Sequence, residues 1–202
     1  MKSKSLVIFL KSILAGIMIG VGAISYLSLP TIVGAGAFSI GLLTILQLRL
    51  SLYTGVVPYM GNFKNDAIEL IIILIGNLIG CCIMFAYPTE EAKILVAQKL
   101  SEPLWQSFVD ACLCGIMIYV AVEAFKKNNI SIVMLSVFGF IVCGFEHSIA
   151  NACYIISAGV FDKKTVYYFL HIVIGNAIGS ILFRKVAEMT YENSKDRKRL
   201  LE

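Results

Sequence analysis

The chain has 202 residues, 58% of them hydrophobic and only 15% charged, with a mean hydropathy of +0.84 and a formal net charge of +4. That balance excludes a soluble domain, and the charges fall in short clusters between long apolar runs, which is the pattern of a polytopic membrane protein. The first apolar run lacks a small-residue cleavage site and leads straight into more apolar sequence, so it reads as a retained span rather than a secretory signal.

In chain order, a first span is expected over residues 10–29, with Gly16 and Gly20 on one face at the four-residue spacing that lets membrane helices approach closely. Pro30 ends it. The next apolar region, about 31–60, is longer than the roughly 20 residues a helix needs to cross. It is interrupted by Gln47, Arg49, Ser51, Thr54, Gly55 and Pro58, so it reads as a broken helix whose freed backbone groups line a cavity or are buried. A linker over 61–66 precedes a third span at 67–86, and the polar segment from Tyr87 to about Trp105 reads as a connecting linker. A fourth span is expected at 106–125 and is closed by Lys126-Lys127-Asn128-Asn129. Residues 130–160 are again too long for one crossing and are broken at Gly144-Phe145-Glu146-His147-Ser148-Ile149-Ala150-Asn151. The last span is expected at 165–183, followed by a charged tail at 186–202.

Residues 75–80 read Ile-Gly-Asn-Leu-Ile-Gly and residues 174–179 read Ile-Gly-Asn-Ala-Ile-Gly, an offset of 99 positions. Each belongs to the span that follows a broken one, so the order whole, broken, whole occurs twice. The fold class expected is all-α: six spans in one transmembrane domain, arranged as two repeats at about 5–86 and 100–185. An odd number of spans per repeat makes the second enter the membrane inverted, which is a plan shared by many transporters. The half-helix N-termini are then expected to meet near the midplane and offer N–H groups to an anion. Placing both termini in the cytoplasm puts twelve Lys and Arg on that side, against Lys93, Lys99, Lys163 and Lys164 outside, with Arg49 inside a span. This predicts a multi-pass protein of the cell membrane with cytoplasmic termini. The basic tail reads as a topology signal and lipid contact, not a nucleic-acid site.

Six cysteines all lie in apolar runs without disulfide or zinc spacing, and read as packing residues; no metal and no cofactor is expected. The chemistry concentrates at Glu146 and His147, because an ionised side chain at bilayer depth costs roughly 2.5–3.5 kcal/mol and marks a site or faces a partner. An intramembrane enzyme built on that pair is not expected, since neither a nucleophile nor a ligand set accompanies it at useful spacing.

The run Gly144 to Asn151, GFEHSIAN, resembles the signature of the formate/nitrite transporter family. Phe38 to Thr54 is similar to that family's second span with its break, here Leu52-Tyr53-Thr54. Lys99 to Phe108 resembles the segment that carries a lysine before the fourth span, and the two Ile-Gly-Asn repeats match the third and sixth spans. The resemblance implies a homopentamer in the lipid bilayer, each protomer holding its own aquaporin-like passage for small monovalent anions such as formate, nitrite, hydrosulfide, acetate or lactate. It implies His147 as the central imidazole with Thr54 beside it, Lys99 as the cation of the outer vestibule and Asn176 polarising the passage near His147. Phe38 and Phe140 would form an outer apolar constriction, and Leu52 and Tyr53 an inner one.

A bare monoanion at an apolar constriction meets a large Born cost, whereas its neutral acid passes cheaply. The expectation is therefore proton-coupled passage of weak acids, the proton arriving from bulk water or from His147, whose imidazole has an ordinary pKa of about 6.5. His147 also reads as a fixed bracket between the two broken helices, Glu146 as its scaffold bound to backbone N–H groups or to Lys99, and Asn77 as a helix-gluing amide. Departures from the family pattern are Ser51 in place of an acid, Arg49, Tyr53 in place of phenylalanine, and Gly115 in place of asparagine. Arg49 reads as a packing ion pair to Glu146 or a neighbouring protomer, or else as a positive charge favouring anions at the inner mouth. The short segment before the first span leaves no room for an N-terminal gating helix. These departures keep open a structural or sensory membrane protein that retains the fold without transport.

Overall fold

A computed structural model of the chain describes residues 4–61, 63–85 and 89–199, and among them the structure is helical throughout. The charges expected to set orientation at Lys2, Lys64, Lys195, Arg197, Lys198 and Arg199 lie outside the described side chains. The helices are α1 (Lys4–Ser28), α2 (Thr31–Gln47), α3 (Tyr53–Val56) continued by a 3-10 turn (Val57–Tyr59), α4 (Phe63–Met84), α5 (Glu90–Ser101), α6 (Leu104–Lys126), α7 (Ile130–Val142), α8 (Ser148–Ala158) and α9 (Lys163–Arg199). Four of them, α1, α4, α6 and α9, contain stretches long and apolar enough to cross a membrane, while α2, α7 and α8 are apolar but shorter.

Two expectations need correction. The segment before Trp105 is not a plain linker but carries α5, whose start is fixed by Thr89: its hydroxyl accepts from Ala92 N at 3.3 Å, with Glu90 and Glu91 in the first turn and Lys99 in the last. The final span and the tail are one continuous helix of 37 residues. Of the cysteines, Cys81, Cys114 and Cys153 pack in the core as expected, whereas Cys82 and Cys143 are exposed.

Helix α1 packs chiefly on α4 and α2, and α6 on α9 and α7. The close approach of α1 to α4 is made by glycines. A Cβ on Gly16 would collide with the carbonyl of Asn77, one on Gly80 with that of Ile13, and one on Gly76 with Ser12 Cβ. The same three contacts recur 99 residues later, where Gly115 faces the Asn176 carbonyl, Gly179 that of Cys112 and Gly175 the Ala111 Cβ. Gly115, an apparent departure in the sequence, is thus the counterpart of Gly16 and is needed for α6 to reach α9.

Helices α2 and α7 also end alike. Leu50 N donates to Ile45 O at 2.9 Å and Arg49 N to Leu46 O at 3.2 Å, while Phe145 N donates to Phe140 O at 2.9 Å and Gly144 N to Ile141 O at 3.1 Å. Both are Schellman ends, which require a left-handed residue just past the helix. Gly144 meets that requirement with φ of 75°, and Arg49 meets it as a non-glycine residue with φ of 51°.

Candidate functional site

Each break is held by one asparagine. Asn77 Oδ1 accepts from Tyr53 N at 2.9 Å, and its Nδ2 donates to Ser12 O at 2.8 Å and Ser51 O at 2.9 Å. Asn176 does the same, accepting from Ser148 N at 2.8 Å and donating to Ala111 O at 2.8 Å and Glu146 O at 2.7 Å. Both amides are fully buried, and each spends one N–H on a carbonyl of the break (Ser51 O or Glu146 O) and the other on a carbonyl of the neighbouring unbroken helix (Ser12 O of α1 or Ala111 O of α6). Asn176 therefore acts on its surroundings by positioning the Glu146-His147-Ser148 turn, as Asn77 positions Ser51-Leu52-Tyr53. Several of the N–H groups at the half-helix N-termini, which are expected to offer themselves to an anion, are taken up within the protein. Tyr53 N and Ser148 N go to the asparagines, and Ala150 N goes to His147 Nδ1 at 3.0 Å.

His147 is the N-cap of α8 and 1% exposed. Its Nδ1 accepts a backbone N–H, so the neutral ring carries its proton on Nε2, which lies 2.9 Å from Thr54 Oγ1 on the other broken helix. The imidazole stacks on Phe140 with centroids 5.7 Å apart and an interplanar angle of 19°, and Phe140 meets Phe38 edge to face at 6.1 Å. All four side chains are buried, so the two breaks and the aromatic pair converge on one point.

Glu146, fully buried, faces away from Thr54. Both its oxygens accept from Lys99 Nζ, at 2.8 and 2.9 Å, and Oε2 also accepts from Asn151 Nδ2 at 2.6 Å. A buried carboxylate needs such pairing, and Lys99, 13% exposed, is committed to it rather than free at a rim. Lys99, His147 and Asn151 line a cavity of about 180 Å³. Glu102 lies on its rim, with its carboxyl raised above the ordinary range by partial burial and then by Glu146, while Lys99 pulls it down. On the opposite side of the Thr54–His147 contact, Leu52, Arg49 and Lys126 line a second cavity of about 620 Å³.

Arg49 does not pair with Glu146, and its side chain makes no ion pair among the described residues. Tyr53 turns its hydroxyl to Val173 O of α9 at 3.3 Å, and it is Leu52 that lines the second cavity. His171 is an interhelical bracket, its Nε2 bonded to Leu104 O at 2.8 Å. Among the described residues no cluster of metal-ligating side chains occurs.

Sequence reasoning missed two tyrosines in these cavities, Tyr154 beside His147 and Tyr59 beside Arg49. Only the spacing of His147, Asn151 and Tyr154 on one face of α8 signals the first.

The profile of the formate/nitrite transporter family matches residues 1–190. The chain belongs to the formate/nitrite transporter family. It is a multi-pass membrane protein of a family of channels and transporters, and not an enzyme. A curated relative, the uncharacterized transporter YrhG of Bacillus subtilis (strain 168), is 26% identical over 202 aligned positions, which cover 85% of this chain and 76% of the relative. Among solved structures, the fold is that of a pentameric formate channel with formate bound (TM-score 0.81, 21% identity, 95% of this chain and 98% of that one). It is also that of an ion channel of the same family (TM-score 0.84, 18% identity, 93% and 91%).

Proposed function

We propose that this transporter passes small monovalent anions, with formate, nitrite, hydrosulfide and short carboxylates as the candidates, and that they cross with a proton as the neutral acid past His147. The observation that carries the reading is the meeting of both broken helices at the Thr54–His147 contact, walled by Phe38 and Phe140, between two cavities. In this reading Phe38 and Phe140 form one constriction and Leu52, with Tyr53 behind it, the other. Asn176 and Asn77 hold the turns, and Glu146 anchors Lys99.

The proton comes from water in the Lys99-side cavity rather than from the imidazole. His147 Nδ1 accepts the Ala150 N–H, so adding a proton there would set two N–H groups against each other and release the cap. The Nε2–H, shared with Thr54, serves as a fixed donor at the narrowest point. An apolar layer that rejects the bare anion and admits its neutral acid then couples the two fluxes without a titrating residue.

The recurrence of the asparagine brackets and glycine contacts at an offset of 99 supports two inverted three-span repeats, with six crossings in all. The pentameric formate channel among its structural neighbours supports a homopentamer. We place the protein in the cell membrane with both termini cytoplasmic, on the lysine and arginine bias. Stopped-flow uptake into proteoliposomes across a pH series tests the function. Wild type should take up formate or nitrite faster as external pH falls, and His147→Asn, which keeps a capping oxygen, should retain that pH profile at reduced rate. Absence of flux for every anion would favour a non-transporting protein, and a flat profile in His147→Asn would return the proton to the imidazole.

A further inference from the structure

Of the four lysines expected outside, Lys93 pairs with Glu90 at 2.6 Å and Lys99 with Glu146 at 2.8 Å. Lys163 and Lys164 are exposed and make no ion pair among the described residues. Lys164 acts on Asp162 only from a distance: that carboxyl is held below the ordinary range first by its hydrogen bonds from Thr165 and then by Lys164. Both lysines stand in the first turn of α9, where the positive end of the helix dipole disfavours cations, so the helix itself does not account for them.

Their surroundings do. Lys163 and Lys164 line a cavity of about 600 Å³ that has Glu102 on its wall. Glu102 is also on the wall of the 180 Å³ cavity that holds Lys99 and His147, so the two cavities lie side by side. The smaller one is unfavourable to an anion. Three carboxylates, Glu102, Asp110 and Glu146, interact there against Lys99 alone, and Lys99 is committed to Glu146. An approaching anion meets net negative charge unless cations stand in front of it.

We propose that Lys163 and Lys164 form an anion-capture site in the 600 Å³ cavity, which concentrates small monovalent anions beside Glu102 before they enter the Lys99 cavity. The site works by charge. Two exposed ammonium groups draw in formate, nitrite and hydrosulfide alike, and their pull falls as salt screens it. This rests on the anion-transport reading and adds to it the place where the anion is collected.

The double variant Lys163→Gln, Lys164→Gln tests it. Both side chains are exposed and stand at a helix N-terminus, so the variant should remain pentameric with an unchanged or higher Tm. Removing two unit charges about 8 Å from an anion should slow its uptake from the Lys99 face about three- to five-fold at low salt and hardly at all at 1 M. Uptake from the opposite face should not change. Glutamate at both positions should slow entry further, and arginine at both should keep the wild-type rate. Equal uptake by wild type and the glutamine variant at low salt, a loss that persists at 1 M, or shed subunits on size exclusion would overturn the site. Absence of flux in wild type would end the transport reading alone. The site would then be read from ¹³C-formate NMR in detergent: salt-sensitive broadening lost in the variant upholds it, and equal broadening overturns it.

Discussion

Arg49→Gly should stabilise the protein while impairing anion entry. Arg49 sits at φ 51° in the position that Gly144 occupies at φ 75° in the equivalent helix end. A left-handed non-glycine residue costs roughly 1–2 kcal/mol, and glycine returns about 0.5–1 of that through its freer unfolded chain. With no ion pair of Arg49 to lose among the described residues, a net gain of about 0.5–1 kcal/mol follows. Backbone strain of this kind persists where the side chain has a task, and here the side chain lies on the wall of the cavity beside Leu52. A unit charge about 8 Å from an anion in water is worth about 0.5 kcal/mol, so removing it should lower entry from that face about two-fold at low salt and hardly at all at 1 M. Thermal unfolding in detergent, size-exclusion chromatography and stopped-flow uptake from each face at two ionic strengths would measure all three effects. A variant that unfolds more easily or sheds subunits would refute this reasoning and make Arg49 a packing residue, tied to a neighbouring protomer.

Asn176→Ala strands Ser148 N and the Glu146 carbonyl inside the protein and should lower stability by about 3 kcal/mol, with the loss of flux following the loss of folded protein. Glu102 gives a pH test whose sign is fixed. Its carboxyl is raised, so on acidification it loses its negative charge earlier than an ordinary carboxylate, and anions meet less repulsion at a mouth that also holds Glu146, Asp110 and Lys99. Glu102→Gln should therefore lower half-saturating anion at neutral pH and match wild type well below Glu102's titration. A variant indistinguishable from wild type at neutral pH would place Glu102 outside the path of the anion.

The positions of the breaks were legible because polar and helix-breaking residues are costly in an apolar run. The repeat was legible because close helix approach demands the same glycines twice. What could not be read was commitment. Pairing of Glu146 with Lys99 is one of two expected arrangements, and only the distances show that it is the one adopted and that it occupies both carboxylate oxygens. Asn176 looks available until its neighbours are known. Helix α5 was missed although Thr89-Glu90-Glu91 is a capping signal, because its polar composition outweighed the cap in a chain read for hydropathy. Tyr154 was missed because a tyrosine in an apolar helix reads as ordinary packing.

The repeat itself carries the last step. Helix α2 has 17 residues and α7 has 13, whereas α3 and its 3-10 turn have 4 and 3 and α8 has 11. The two broken segments thus contain equal helix, with the break moved by four residues, about 6 Å or one turn. This is why the whole helices correspond at 99 and the breaks at 95. The shift sets His147 opposite the role of Leu52. One N-cap has no side-chain bond, and the other ends in an imidazole that caps its own helix and reaches Thr54 across the gap. Two copies of one plan therefore meet unequally. The Leu52 side is apolar with a strained arginine at its edge, and the His147 side is polar. The asymmetry between the two mouths lies in that single turn.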